Sequence, residues 1–117
     1  MTISLALSMT AAAIAAENAS PPGNKQKIER GRDIANKICS ACHVIGTSQD
    51  FAPILAQPGP DFRDIAKKPN VTADTLTTFL RTTHRTEGKS YTMPAPLLTG
   101  EMIDEVTNYI LSLRDQR

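Results

Sequence analysis

Both cysteines of the chain fall within five residues, Cys39-Ser40-Ala41-Cys42-His43. A C-x-x-C-H run is an attachment signature for c-type haem. The two thiols add across the vinyl groups of the macrocycle, and two intervening residues let the chain span both. The adjoining histidine then falls under the iron, where a ring nitrogen serves as proximal ligand. Other chemistry uses the same pair. A dithiol redox couple calls for a βαβ setting, of which the chain carries no pattern. A zinc site calls for further thiolate or imidazole ligands, and the only histidines, His43 and His84, lie 41 residues apart. A structural disulfide across two residues would be strained. All five positions match the haem signature and no third cysteine competes, so one covalent haem c, held by Cys39 and Cys42 with His43 on the iron, is the expectation.

The sixth iron position would decide what such a centre does. Four methionines are present, Met1, Met9, Met93 and Met102. The first two lie in an apolar leader, and Met102 opens a helix, where methionine serves as packing. Met93 stands in a loop ahead of Pro94, 50 residues beyond His43, ample chain to pass from one face of a haem to the other. His84 is the rival ligand and would give bis-histidine iron of lower potential. With His43 and Met93 both bound, no iron position is open. The expected behaviour is then one-electron shuttling and not catalysis. Without Met93 a five-coordinate haem protein with ligand-binding or peroxidase-like activity is the alternative.

These residues must be positioned by a small fold. The chain has 117 residues, 40% hydrophobic and 21% charged, with three Phe, two Tyr and no Trp. A domain of that size has a marginal core unless a cofactor adds to it. The formal net charge of +1 excludes a large basic field for nucleic acid. No apolar run reaches the ~18–20 residues of a membrane span. Residues 1–15 carry no charge and end in the A-x-A pattern Ala13-Ile14-Ala15, which reads as a secretory signal. Residues 16–24 read as a linker and 25–117 as one domain. Ile28, Gly31, Ile34, Ala35 and Ile38 recur at helical steps, predicting a helix from Lys25 to about Ile38. Val44 to Pro60 reads as a long loop, and a loop of such length in a small domain carries function or wraps something. A short helix is predicted over Asp61–Lys68. Another follows from a Thr72 cap to about Thr83, burying Leu76, Phe79 and Leu80. Arg85–Leu98 reads as loop. The last helix is capped by Thr99, has a stripe of Ile103, Val106, Tyr109 or Ile110, and Leu113, and carries Arg114 and Arg117 at its negative end.

Taken together, residues 25–117 resemble a class I c-type cytochrome, a small bacterial monohaem electron carrier. The resemblance rests on Gly31 eight residues before Cys39, on the Cys39–His43 run, on Gly59-Pro60-Asp61-Phe62, and on Thr92-Met93-Pro94 ahead of a helix ending Tyr109-Ile110-Leu111-Ser112-Leu113. It implies an all-α fold in which the N- and C-terminal helices cross, Gly31 against Tyr109, and long loops wrap one covalently bound haem. It implies that the Pro60 carbonyl accepts the second N–H of His43 and fixes its tautomer. The leader together with the attachment run points to the periplasm, exported or N-terminally anchored, and a monomer that exchanges electrons with redox proteins, a dehydrogenase or an oxidase or reductase, is expected. The chain departs from the family where Ala35 replaces an aromatic and where no Trp is present to bond a haem propionate. A looser or differently filled crossing is therefore expected. Arg63, Arg81, Arg85 and Tyr91 are the unranked propionate candidates.

Overall fold

Pro22 opens the first helix, α1 (Pro22–Ile34), in a computed structural model that describes residues 22–82 and 93–116. The helix begins three residues ahead of Lys25. Proline suits a first turn because its φ is already helical and the N–H it lacks would have had no partner. The end also differs from the periodicity. After Ile34 the winding widens into a π-turn, Ala35–Cys39, with the Ser40 N–H reaching back to the Ala35 carbonyl at 3.0 Å. Such widened turns recur at functional sites. This one ends on the first cysteine.

The long loop leads to α2 (Phe62–Lys67), capped by the Asp61 carboxylate on the Arg63 N–H at 2.8 Å. The Arg63 guanidinium folds back onto the same carboxylate, with Nη2 2.5 Å from Oδ2. That hydrogen bond holds the Asp61 carboxyl below its ordinary value. In α3 (Ala73–Arg81), Thr72 and Thr75 cap each other reciprocally. Leu76 and Leu80, one turn apart, are buried. Phe79, expected among them, is 39% exposed, because it stands about 100° round the helix from Leu80.

The last helix, α4 (Gly100–Ser112), starts at Thr99, whose hydroxyl accepts the Met102 N–H. Its stripe is buried as the sequence predicts, and Ile103, Val106, Tyr109, Ile110 and Leu113 all join the core. The chief helix contact is α1 on α4. At their crossing a Cβ on Gly31 would overlap the Glu105 carbonyl and come within 2.9 Å of the Tyr109 Cβ. The crossing is thus tight, not loosened by Ala35, which is itself fully buried. Glu105 is also buried, and its charge is met by Arg30 Nε across the interface, with Lys27 and Asp104 paired at 2.6 Å beside it. A buried carboxylate needs such a partner. Arg114 does more than face the helix dipole. Its Nε and Nη2 donate to the Ala66 and Val71 carbonyls at 2.8 and 2.7 Å, tying α4 to the end of α2 and the turn into α3.

Among the described residues there is no β-strand, and no helix is long and apolar enough to cross a membrane. The expected leader, His84, Arg85, Tyr91, Thr92 and Arg117 lie outside the described residues.

Candidate cofactor site

Cys39 closes the π-turn with its side chain buried, Cys42 is half-buried, and His43 is buried. Helical hydrogen bonding ends across this run, where the Cys42 and His43 N–H groups both return to the Cys39 carbonyl, at 3.1 and 2.9 Å. From there every carbonyl along six residues is taken by a group from outside the segment. Ala41 accepts from the Ile54 N–H at 3.0 Å, Cys42 from Gly59 at 2.7 Å and Val44 from Phe62 at 2.9 Å. Ser40 and His43 each accept from Gln49 Nε2 at 3.2 Å. Ile45 accepts from the Tyr109 hydroxyl at 2.8 Å. Buried carbonyls without partners are costly. The segment that bears the two thiols and the imidazole is therefore pinned along its length.

The imidazole is held on three sides. Nδ1 lies 2.8 Å from the Pro60 carbonyl, which can only accept, so Nδ1 carries a proton, and in the neutral ring the lone pair falls on Nε2. The Phe62 ring stands 5.4 Å away, tilted by 49°. Gly59 presses against the ring, and a Cβ there would lie 2.5 Å from Cε1 and 2.7 Å from Nδ1. Gly59 cannot easily retreat, because its N–H is bonded to Cys42. Gly59→Ala is therefore expected to cost about 1–3 kcal/mol and to push the imidazole off Pro60. The check is the melting temperature together with the NMR shifts of the His43 ring. Two unchanged readings would mean that the loop yields freely.

Burial, with Cys42 adding to it, pushes the Cys39 thiol up to about 11. A reactive dithiol needs the opposite shift, toward thiolate. The buried Cys39 is thus a poor nucleophile for thiol–disulfide exchange. Thioether formation, by contrast, consumes thiols. Large apolar side chains stand exposed on the loop bonded to this run, Phe51 at 79% and Ile54 at 82%, and Leu97 ahead of α4 is 99% exposed. Apolar area of this kind calls for a cover. Two thiols, one imidazole and the uncovered apolar side chains of the loop bonded to this run fit a covalent haem. Phe51, Ile54 and Leu55 do not pack into the protein core.

Met93 is half-buried and packs against the core from the segment ahead of α4, near Leu98 in sequence. Met102 lies in the first turn of α4. Of the propionate candidates, Arg63 is committed to Asp61 and Arg81 lies near Gly100. Sequence reasoning assigned no role to Gln49, Phe62 or Gly59 at the imidazole. Gly59 precedes Pro60 and Phe62 lies two residues beyond it, within the Gly59-Pro60-Asp61-Phe62 run, whereas nothing in the local pattern marks Gln49.

Comparison with known proteins gives a consistent picture. The family model described as Cytochrome c matches residues 28–114. Cytochrome c-552 of Bradyrhizobium diazoefficiens is 30% identical over 84 residues, covering 72% of either chain. No solved structure matches.

Proposed function

The chain belongs to the cytochrome c family, whose members carry one covalently bound haem c, and on that premise we propose that it is a soluble single-electron carrier in which Cys39 and Cys42 would hold the haem by thioether links and His43 and Met93 would hold its iron. The observation that carries this reading is the hydrogen bond from His43 Nδ1 to the Pro60 carbonyl, which in the neutral ring leaves the lone pair on Nε2, within the same five-residue run as the two thiols. When bound, haem supplies an Fe(III)/Fe(II) couple that takes up and releases one electron. The residues of this chain do the rest. His43 is oriented and kept in one tautomer by Pro60, Gly59 and Phe62, so its donor nitrogen does not wander between oxidation states. The Met93 thioether is a soft donor that favours the reduced iron. Apolar side chains such as Phe51 and Ile54, laid against the haem, would exclude water from it, which would also favour the less charged state. With His43 and Met93 both holding the iron, the residues of this chain would leave it no open position, and the work expected of the centre would be single-electron exchange with redox proteins. Residues 1–15 act as the export signal in this reading, which places the carrier in the periplasm.

Met93→Ala tests the ligand set. Its loss should abolish the sulfur–iron charge-transfer band of the oxidised protein, lower the midpoint potential and let the reduced protein bind carbon monoxide. His84→Ala should leave all three unchanged. The reverse pattern would make this a bis-histidine cytochrome. A wild type that binds carbon monoxide readily, with Met93 indifferent, would make it a ligand-binding haem protein.

A further inference from the structure

We propose that Gln49 is a positioning residue for the His43 imidazole, acting through the backbone of the Ser40–Ile45 segment; the proposal rests on the reading of His43 as an iron ligand. The Gln49 side chain is half-buried, between the exposed residues Ser48 and Asp50. Its amide makes three hydrogen bonds, all to the backbone of the segment that carries the site. Oε1 accepts the Ile45 N–H at 2.8 Å, and Nε2 donates to the Ser40 and His43 carbonyls, both at 3.2 Å. The amide can be oriented only one way, since a backbone N–H must face the oxygen and two carbonyls must face the nitrogen.

One planar group thereby clips together a residue between the two cysteines, the histidine itself and the residue two beyond it. The other carbonyls of the segment are served by backbone N–H groups of the following loop and of Phe62 at the start of α2, or by the Tyr109 hydroxyl. Ser40 and His43 depend on Gln49 alone among the described residues. No other side chain replaces it. Glutamate has the same length but no donor, lysine and arginine have no acceptor, and asparagine is one methylene too short to reach all three.

Fixing the His43 carbonyl restricts the rotation of its peptide unit. The Cα–Cβ direction, and with it the approach of Nδ1 to Pro60, follows from that restriction. A residue that supports an iron ligand in this indirect way should alter the ligand's own signals and not only the melting temperature.

The experiment compares wild-type haem-loaded protein with Gln49→Glu, Gln49→Asn, Ser48→Ala and Asp50→Ala. Hyperfine-shifted NMR signals of the His43 ring, solvent exchange of its Nδ1 proton and the melting temperature are read together. Gln49→Glu keeps the bond to Ile45 but sets a carboxylate oxygen against two carbonyls. Its Nδ1 proton should exchange about tenfold faster, as loss of a hydrogen bond from the local closed state implies, and the ring signals should move. Gln49→Asn should do the same to a smaller degree, and it decides the matter if the Glu variant yields no haem-loaded protein. Ser48→Ala and Asp50→Ala should leave all readings in place. A lowered melting temperature with unmoved ring signals and unchanged Nδ1 exchange in the Gln49 variants would overturn the proposal, leaving Gln49 an ordinary loop support. Absence of hyperfine-shifted His43 signals from the wild type would instead overturn the ligand assignment.

Discussion

Replacing Cys39 and Cys42 together by serine should yield a colourless chain that has lost most of its helical circular dichroism. Cys39 and His43 are buried in the domain they help to build, and the buried apolar set is small. Among the described residues it comprises Ala35, Cys39, Ile45, Phe62, Ala66, Leu76, Leu80, Ile103, Val106, Tyr109, Ile110 and Leu113. Only two of these are aromatic, and two are alanine. A domain near 100 residues is stable by about 5–15 kcal/mol in all, the difference of terms an order of magnitude larger. A cofactor bound to the folded chain alone shifts that balance directly. Covalent haem covering side chains such as Phe51 and Ile54 would make up for the scarcity of aromatic residues in the core. The check is haem stain after acid–acetone extraction, together with a thermal melt. A colourless double variant that melts cooperatively near the wild-type temperature would show that the protein core suffices without haem. Haem retained covalently would place the attachment elsewhere.

Gly31→Ala should destabilise the haem-loaded protein by about 3 kcal/mol, the upper end of the cost of overpacking, and so lower its melting temperature by more than about 10 °C. Helix propensity alone predicts the reverse, a gain of up to ~1 kcal/mol for Gly→Ala. Sterics decide the sign. The new Cβ would overlap the Glu105 carbonyl, a backbone atom of α4 that no rotamer change can move. Relief requires α1 and α4 to separate, which also pulls Arg30 from the buried Glu105 carboxylate. An uncompensated buried charge adds to the cost. Gly23 supplies a matched control. It lies in the same helix, and a Cβ there meets nothing within 4 Å. Gly23→Ala should be neutral or mildly stabilising. Equal effects at the two positions would mean that the crossing is not closely packed.

Much of this protein is legible in its sequence for reasons that are local. The Cys39–His43 run specifies its chemistry because two thiols and an imidazole must meet one macrocycle within a few bonds. Thr72 and Thr99 mark their helices because a cap bonds to an N–H three residues on. The stripe from Ile103 to Leu113 is visible because a helix repeats its buried face every three or four residues. Phe79 marks the limit of that reading, since the edge of a stripe in a nine-residue helix is set by what lies against it.

What the tertiary structure decided has no period and no fixed spacing. Arg30 and Glu105, 75 residues apart, meet because Gly31 lets two helices cross at van der Waals contact. Arg114 finds the carbonyls of Ala66 and Val71 only once α4 has docked. Gln49 is one polar residue in a loop without pattern, and its three bonds arise from the path that loop takes back past Ser40 and His43. Composition and spacing determine which groups a chain can offer to a haem. The packing of helices and the closure of loops determine which carbonyl, ring face or amide holds each of those groups still.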